Sequence, residues 1–218
     1  MSKRTRRTVA GIVAVLATLA PVTLLASPAS AFPAGDPVYK FKYSIVATTF
    51  IKKAGLGLTT KPGIFQGGID LSTGALKGSI SLPPVTFTQS EDGVGLVTAT
   101  SAIMSTKPVT GHVNIGTLKV TSTSTFNIHI TSMYPATPSL PLPVPVPIPK
   151  ENLVGSGCMT AAPISVTMSG TASFDKPSTF TGTFSIPDFA DCQAMTDVIN
   201  QEIPGPGNTF SATATPAS

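Results

Sequence analysis

Apolar and polar residues alternate along most of the chain beyond residue 38. A period of two is typical of strands that bury one face and expose the other. The clearest apolar runs of one parity fall at 39–47, 76–82, 126–130, 164–172 and 180–186. Turn signals separate the runs at Lys61-Pro62-Gly63, Ser72-Thr73-Gly74, Glu91-Asp92-Gly93, Lys107-Pro108 and Lys176-Pro177. This spacing predicts an all-β fold, an antiparallel β-sandwich or small barrel of about 8–10 strands.

Two segments depart from simple alternation. The apolar parity changes between Ile115 and Leu118, which predicts a bulge at Gly116. Near the end of the chain, apolar residues recur at helical spacing between 189 and 199, and Pro204 follows them. This pattern predicts one short C-terminal helix, with Asp188 as its N-terminal cap.

The first 31 residues have the features of a cleavable secretory signal peptide. Residues 3–7 are mostly basic, residues 9–26 are apolar and uncharged, and Ala29-Ser30-Ala31 fits the small-x-small cleavage rule. We predict a cut after Ala31, which leaves residues 32–218 as a single β-rich domain that is secreted or held in the cell envelope. The alternative is a transmembrane anchor, but Pro21 interrupts the apolar run. We therefore expect a membrane span only within residues 1–31, which are cleaved off.

Removing residues 1–31 changes the charge of the protein. The full chain has 14 Lys and Arg against 10 Asp and Glu, and four of the basic residues precede the cut. The mature part therefore carries 10 lysines, no arginine and 10 acidic residues. Nucleic-acid-binding proteins are expected to keep a basic patch with arginines. We predict that nucleic acid is not a partner.

The mature part contains two cysteines, Cys158 and Cys192. Cysteines of exported proteins usually pair, so we predict a disulfide bond between them. The alternatives are two free thiols or a metal site, although a zinc site would need further ligands and no histidine lies nearby in the sequence. We expect no metal and no cofactor.

A proline-rich segment at 135–149 can be neither a helix nor a central strand, because proline lacks the amide donor. Within it, Leu142, Val144, Val146 and Ile148 alternate with prolines. We favour a stiff, extended crossover that packs on the domain. The alternative is a docking strip, or an apolar flap over a pocket.

The sequence contains no complete catalytic constellation. The two histidines, His112 and His129, fall at polar-face positions of predicted strands, and no G-x-S-x-G elbow accompanies them. We interpret residues 155–158 as a turn that places Cys158. A glycosidase needs two convergent carboxylates. The candidates all fit turns or a helix start, and they are Glu91, Asp92, Asp175, Asp188 and Asp191. We predict that the protein is not an enzyme.

Three segments, taken in order, resemble a group of uncharacterised secreted proteins of actinobacteria. They are FQGGIDLSTGALKG at 65–78, GSGC at 155–158 and PGPGN at 204–208. The resemblance implies export and a β-rich domain, and it carries over no activity and no site residue.

These observations favour a secreted or cell-envelope β-domain that binds an apolar ligand or a surface and has no catalytic activity. A barrel of about eight strands is able to enclose a small ligand. The first alternative is an envelope channel or coat component. The second is a secreted hydrolase with a non-standard site.

Overall fold

The fold consists of antiparallel strands with one short helix. The structure is a computed structural model that describes residues 37–91, 95–135 and 151–217. The strands are β1 (Val38–Ile51), β2 (Leu56–Thr59), β3 (Gly63–Asp70), β4 (Ala75–Ser81), β5 (Val85–Glu91), β6 (Gly95–Val113), β7 (Lys119–Pro135), β8 (Met159–Thr160), β9 (Ile164–Thr171), β10 (Ser178–Ile186), β11 (Phe189–Ala190) and β12 (Gly205–Pro216). A 3₁₀ turn (Gln193–Met195) precedes helix α1 (Thr196–Glu202). The predicted all-β class and the short C-terminal helix are confirmed.

The strands form one sheet that closes on itself. Its order is β11-β8-β7-β9-β10-β12-β1-β3-β4-β6-β5, with β2 added to β1. β6 and β7 also pair, from Val113↔Val120 to Val97↔Pro135. Eight strands therefore form a closed circuit of hydrogen-bonded neighbours, which are β1, β3, β4, β6, β7, β9, β10 and β12. β2, β5, β8 and β11 lie outside this circuit, so the sheet is not a regular barrel.

The alternation in the sequence decides which face of each strand points into the circuit. On β1, Phe41, Ile45 and Ala47 are buried, while Lys40 and Lys42 are exposed. The inward side chains form two hydrophobic clusters. The smaller is built around Phe41, Ile69, Leu76, Val109, Val113 and Val120. The larger includes the two cysteines and reaches helix α1. Burial of each large aliphatic or aromatic side chain contributes about 1.5–3 kcal/mol.

Lys107-Pro108 does not end a strand, so the predicted turn there is wrong. β6 continues through it, and its register against β7 shifts between Ser105 and Lys107 and again between Lys107 and Thr110. Proline donates no ladder hydrogen bond, and an irregular register accommodates it. β6 pairs with β5 before this point and with β4 after it. The irregularity therefore lies where one strand changes neighbours.

The change of parity near Gly116 is a hairpin turn and not the predicted bulge. β6 ends at Val113 and β7 begins at Lys119. The amide of Leu118 donates to the carbonyl of Asn114 at 2.7 Å, and Leu118 takes a φ of 56°. The turn leaves Ile115 exposed at its tip.

Helix α1 begins later than predicted, and Asp188 is not its cap. Residue 189 starts β11, and the carbonyl of Asp188 accepts a hydrogen bond from the amide of Ala161 at 2.8 Å. Pairing with β8 therefore keeps this segment extended. The N-cap position belongs to Met195, which makes no side-chain cap.

Two predicted features lie outside the described residues. They are the signal peptide at 1–31 and the apolar set of the proline-rich segment (Leu142, Val144, Val146 and Ile148). Both stay predictions. Within the described part of the chain, neither helix combines the length and the apolar character needed to cross a bilayer.

Candidate functional site: two apolar cavities

An apolar cavity, here called cavity 1, lies inside the circuit near the hairpin turns at 71–74, 114–118 and 172–177. Its volume is ≈ 50 Å³, which is more than one water molecule requires. Each of the eight circuit strands contributes to its wall. One lining residue from each strand is Phe41, Ile69, Leu76, Val113, Val120, Met168, Phe180 and Ala214. The cavity is therefore a property of the closed sheet as a whole.

The polar groups that line cavity 1 are uncharged. They belong to Tyr43, Ser122 and Ser178. The Tyr43 hydroxyl donates to the carbonyl of Ser173 at 3.1 Å, and the Ser178 hydroxyl accepts from the Ser173 amide at 2.8 Å. Burial, and to a lesser extent Tyr39, raises the pKa of Tyr43, so its hydroxyl keeps its proton near neutral pH. Cavity 1 therefore offers apolar contact and no counter-charge.

The turn between β9 and β10 covers cavity 1. The side chain of Phe174 lines the cavity, yet it is 46% exposed. Its ring packs edge to face against the ring of Tyr39, with 5.0 Å between the two ring centroids. The Ser173 hydroxyl donates to the Asp175 carboxylate at 2.7 Å and accepts from the Lys176 amide at 3.2 Å. Phe174 thus separates the cavity from solvent, on a turn held by its own hydrogen bonds.

A second apolar cavity, cavity 2, lies further along the same circuit and measures ≈ 80 Å³. On β10, Phe180 lines cavity 1 and Phe184 lines cavity 2; on β12, the corresponding residues are Ala212 and Phe210. Phe210 and Ala212 are two residues, about 7 Å, apart along β12, and Phe180 and Phe184 are four residues, about 13 Å, apart along β10. The two cavities therefore lie end to end. Strands outside the circuit close cavity 2 through Leu58, Phe87 and Phe189.

The turn between β3 and β4, at the same end as cavity 1, is organised by a buried carboxylate. Asp70 Oδ1 accepts hydrogen bonds from the amide and the hydroxyl of Ser72, at 2.8 and 2.6 Å. Its Oδ2 accepts from the Thr73 hydroxyl at 2.7 Å. Gly74 has a φ of 73°, and a Cβ there would collide with the carbonyl oxygen of Val113. The predicted Ser72-Thr73-Gly74 turn is confirmed.

This turn makes stability depend on acidity. The hydrogen bonds of Ser72 and then Thr73 lower the pKa of Asp70 from 3.8 to about 2. A lowered folded-state pKa stabilises the protein above the unfolded-state pKa, and this contribution is lost as pH falls from about 4 to about 2. Asp70→Asn should therefore be less stable than the parent at pH 7. We expect the difference in urea midpoint to shrink towards pH 2. A difference in urea midpoint that stays the same at every pH would contradict this account.

The two histidines lie far apart on the outer side of the sheet. His112 is exposed on β6, where it pairs with Thr121 of β7. His129 lies on β7, eight residues beyond Thr121. Eight strand residues span about 26 Å. His129 Nε2 is 2.9 Å from the carbonyl oxygen of Ser156. The fold therefore does not bring the two histidines into one site.

The predicted disulfide is confirmed. Cys158 and Cys192 are bonded, with a Cα–Cα distance of 4.3 Å, and both are fully buried in the larger cluster. The amide of Cys158 donates to the carbonyl of Gly155 at 3.1 Å, so residues 155–158 form a turn that places the cysteine.

The candidate carboxylates are dispersed. Asp175 belongs to the turn over cavity 1, whereas Asp188 and Asp191 flank β11 near the disulfide. The backbone at Glu91 is described but its side chain is not, and Asp92 lies outside the described residues. In the part of the chain that the structure describes, no group of three or more His, Cys, Asp or Glu could hold a metal ion.

Sequence alternation alone did not locate the cavities. Inward positions look the same whether they fill the core or line a space. One usable signal is side-chain size, because β12 places Ala212 and Ala214 at consecutive inward positions, where they leave room beside Phe180. No protein-family model, curated protein or solved structure matches the chain. The resemblance to actinobacterial secreted proteins stays a prediction.

Proposed function

We propose that the protein is a secreted or cell-envelope binding domain without catalytic activity, and that cavity 1 holds the apolar part of its ligand. The observation that carries the proposal is that all eight circuit strands surround one space without a charged side chain. Protein interiors normally pack as densely as organic crystals, with few voids larger than a water molecule. Two such voids lie end to end in this interior.

The lining defines the chemistry of the ligand. An ionised group inside cavity 1 would lose its hydration and find no counter-charge. The Tyr43 and Ser178 hydroxyls are already engaged by Ser173, which lies at the turn end of the cavity. The part of the ligand that enters is therefore uncharged and apolar. A linear aliphatic chain fits this description, because cavity 2 follows cavity 1 along β10 and β12.

Calorimetric titration with uncharged n-alkanols of increasing length tests the proposal. Each buried methylene contributes about 0.8 kcal/mol, so affinity should rise about fourfold per carbon until the cavity is full. The chain length at which affinity stops rising measures the usable depth. No detectable binding across the whole series would overturn the proposal.

Filling cavity 1 should abolish this binding. Ala214 is buried and lines the cavity, whereas the adjacent Thr213 is exposed on the outer face. We expect Ala214→Leu to lower alkanol affinity by about tenfold or more, because its larger side chain occupies the space of roughly two to three methylenes. Thr213→Leu is the matched control, and its affinity should stay within about twofold. Equal loss in both variants would show that the alkanol binds elsewhere.

Export is part of the proposal, and the disulfide supports it because such bonds persist in oxidising compartments. Native mass spectrometry of the protein isolated from its own host tests both parts in one experiment. A mass equal to that of residues 32–218 would support cleavage after Ala31. Extra mass that is released by organic solvent would identify a retained apolar ligand.

A further inference from the structure

The end of the molecule next to cavity 1 carries a group of exposed apolar side chains, here called the apolar rim. Nine large hydrophobic residues of the described chain are exposed, and four of them form this rim. They are Tyr39, Leu71, Ile115 and Phe174, which are 40%, 45%, 45% and 46% exposed. Each belongs to a different segment: the start of β1 and the three hairpin turns. Single exposed apolar residues are common, but a cluster of them marks an interaction surface.

The four rim segments are joined into a ring. The amide of Leu71 donates to the carbonyl of Pro37 at 2.9 Å, which ties the β3–β4 turn to the start of β1. The Val113 amide donates to the Gly74 carbonyl at 2.8 Å, which ties the β6–β7 hairpin to the β3–β4 turn.

Two further contacts complete the ring. The Ala172 amide donates to the Leu118 carbonyl at 2.8 Å, which ties the β9–β10 turn to the β6–β7 turn. Tyr39 and Phe174 then link the β9–β10 turn back to β1. The four segments that carry the rim side chains are therefore held together around one end of the circuit by backbone hydrogen bonds and one ring contact.

Among the described residues beside the rim, lysines outnumber carboxylates by three to two. Lys40, Lys119 and Lys176 are exposed on the rim segments or directly beside them. Of the acidic residues that the structure describes at this end, Asp175 is exposed and Asp70 is buried, and its hydrogen bonds with Ser72 and Thr73 lower the pKa of Asp70 and keep it ionised. The described part of this end therefore carries a small positive net charge.

The opposite end has the reverse character. Asp188, Asp191 and Asp197 are exposed around β11 and helix α1, alongside Lys52 and Lys53 of the β1–β2 turn. An anionic surface would attract the lysines of the rim end more strongly than this acidic end. The charge distribution therefore selects one orientation.

We propose that the apolar rim docks on the surface of a lipid bilayer that carries anionic headgroups. Apolar side chains enter the boundary between headgroups and acyl chains, and lysines beside them are attracted by the headgroup charge. In this orientation Phe174, which covers cavity 1, faces the lipid. The docking does not depend on whether cavity 1 binds a ligand, because Leu71 and Ile115 do not line it.

Vesicle flotation of the exported protein tests the docking. We expect the protein to float with phosphatidylglycerol vesicles and to bind phosphatidylcholine vesicles at least about tenfold more weakly. Binding to the anionic vesicles should weaken when salt rises from about 0.05 M to about 0.5 M, because the screening length shortens. Failure to float with anionic vesicles would overturn the proposal, as would capture of a protein partner by the rim without any binding to lipid.

Paired variants locate the surface. Leu71→Ser with Ile115→Ser removes two rim side chains, and it should weaken binding to anionic vesicles by about tenfold or more. Ile64→Ser with Met104→Ser is the matched control, because these residues are equally exposed (43% and 48%) but lie on β3 and β6 away from the rim. Equal losses in the two pairs would refute docking through the rim.

A second pair tests the charge. Lys40→Gln with Lys176→Gln should weaken binding to anionic vesicles about 30-fold, since each lysine near such a surface contributes about fivefold. Lys52→Gln with Lys61→Gln removes the same charge elsewhere and should change binding by less than about threefold.

Alkanol affinity of the Leu71/Ile115 variant should stay unchanged. Loss of vesicle binding with alkanol binding intact would separate the docking surface from the proposed ligand site.

Discussion

Asn208→Leu is expected to destabilise the protein by about 2–5 kcal/mol, although the substitution replaces a fully buried residue with an apolar one of similar size. The Asn208 side chain satisfies three backbone groups. Its Oδ1 accepts from the amide of Lys52 at 3.0 Å. Its Nδ2 donates to the carbonyls of Gly205, at 2.8 Å, and Phe184, at 3.4 Å.

The reason for this arrangement lies in the sheet. The register between β10 and β12 shifts between Phe184 and Ile186, next to Asn208. Regular ladder bonds are interrupted there, and the β1–β2 turn approaches the same point through Lys52. One amide side chain supplies the missing partners. Leucine would leave a donor and acceptors without partners, and each unsatisfied buried group costs about 1–3 kcal/mol.

Two further variants separate hydrogen bonding from packing. Asn208→Asp keeps the acceptor for Lys52 but cannot donate to Gly205 when ionised, so it should also be destabilised. Thr209→Ala changes the exposed neighbour and should stay within about 0.5 kcal/mol of the parent. Urea unfolding measures all three. A stable leucine variant would show that water or backbone adjustment replaces the amide.

The features predicted correctly from the sequence are those that depend on local pattern. Alternation assigned Phe41, Ile45 and Ala47 to the interior because a strand must turn every second side chain to the same face. The turn at 72–74 was predictable because serine, threonine and glycine suit its backbone and hydrogen-bonding needs. Cys158 and Cys192 were predictable as a pair from their number and from the signal peptide-like start.

The closure of the sheet depends on long-range pairing that local pattern does not contain. β1 pairs with β12, whose residues lie some 160 positions later in the chain, as in Thr49↔Phe210. The sequence predicts a turn at Lys107-Pro108 because proline usually ends a strand, whereas in the structure this proline coincides with an irregular register in a long strand. The sequence wrongly predicts Asp188 as a cap because β11 has two residues, too few to show the alternation of a strand.

Neither the cavities nor the rim can be predicted from the sequence, and the reasons are related. An inward alanine such as Ala214 lines a space or fills a core depending on what lies across the circuit, which only the closed sheet determines. Leu71, Ile115 and Phe174 come from separate hairpins, and only the fold brings them to one end. The sequence does offer one signal for the rim: each of three turns contains a single large apolar residue, although turns are usually polar.

Removal of the disulfide is expected to lower the free energy of unfolding by about 2–5 kcal/mol. The bond joins residues 34 positions apart, and closing a loop of that size contributes about 3–4 kcal/mol in the chain-entropy model. We expect Cys158→Ala with Cys192→Ala to unfold at clearly lower urea than the parent. Thiol titration of the denatured, unreduced parent should find no free thiol. Two free thiols would contradict the bond.

The position of the disulfide predicts where the structure loosens first when the bond is lost. β8 and β11 lie outside the closed circuit and share only the pairs Phe189↔Thr160 and Ala190↔Met159. So short a ladder provides little backbone cohesion, and the disulfide holds this flank against the circuit. Hydrogen exchange in the double variant should therefore accelerate at 158–160 and 189–202, while β1 and β12 stay protected. Because Phe189 closes cavity 2, ligands that reach that cavity should bind more weakly, whereas docking through the apolar rim at the other end should be unaffected.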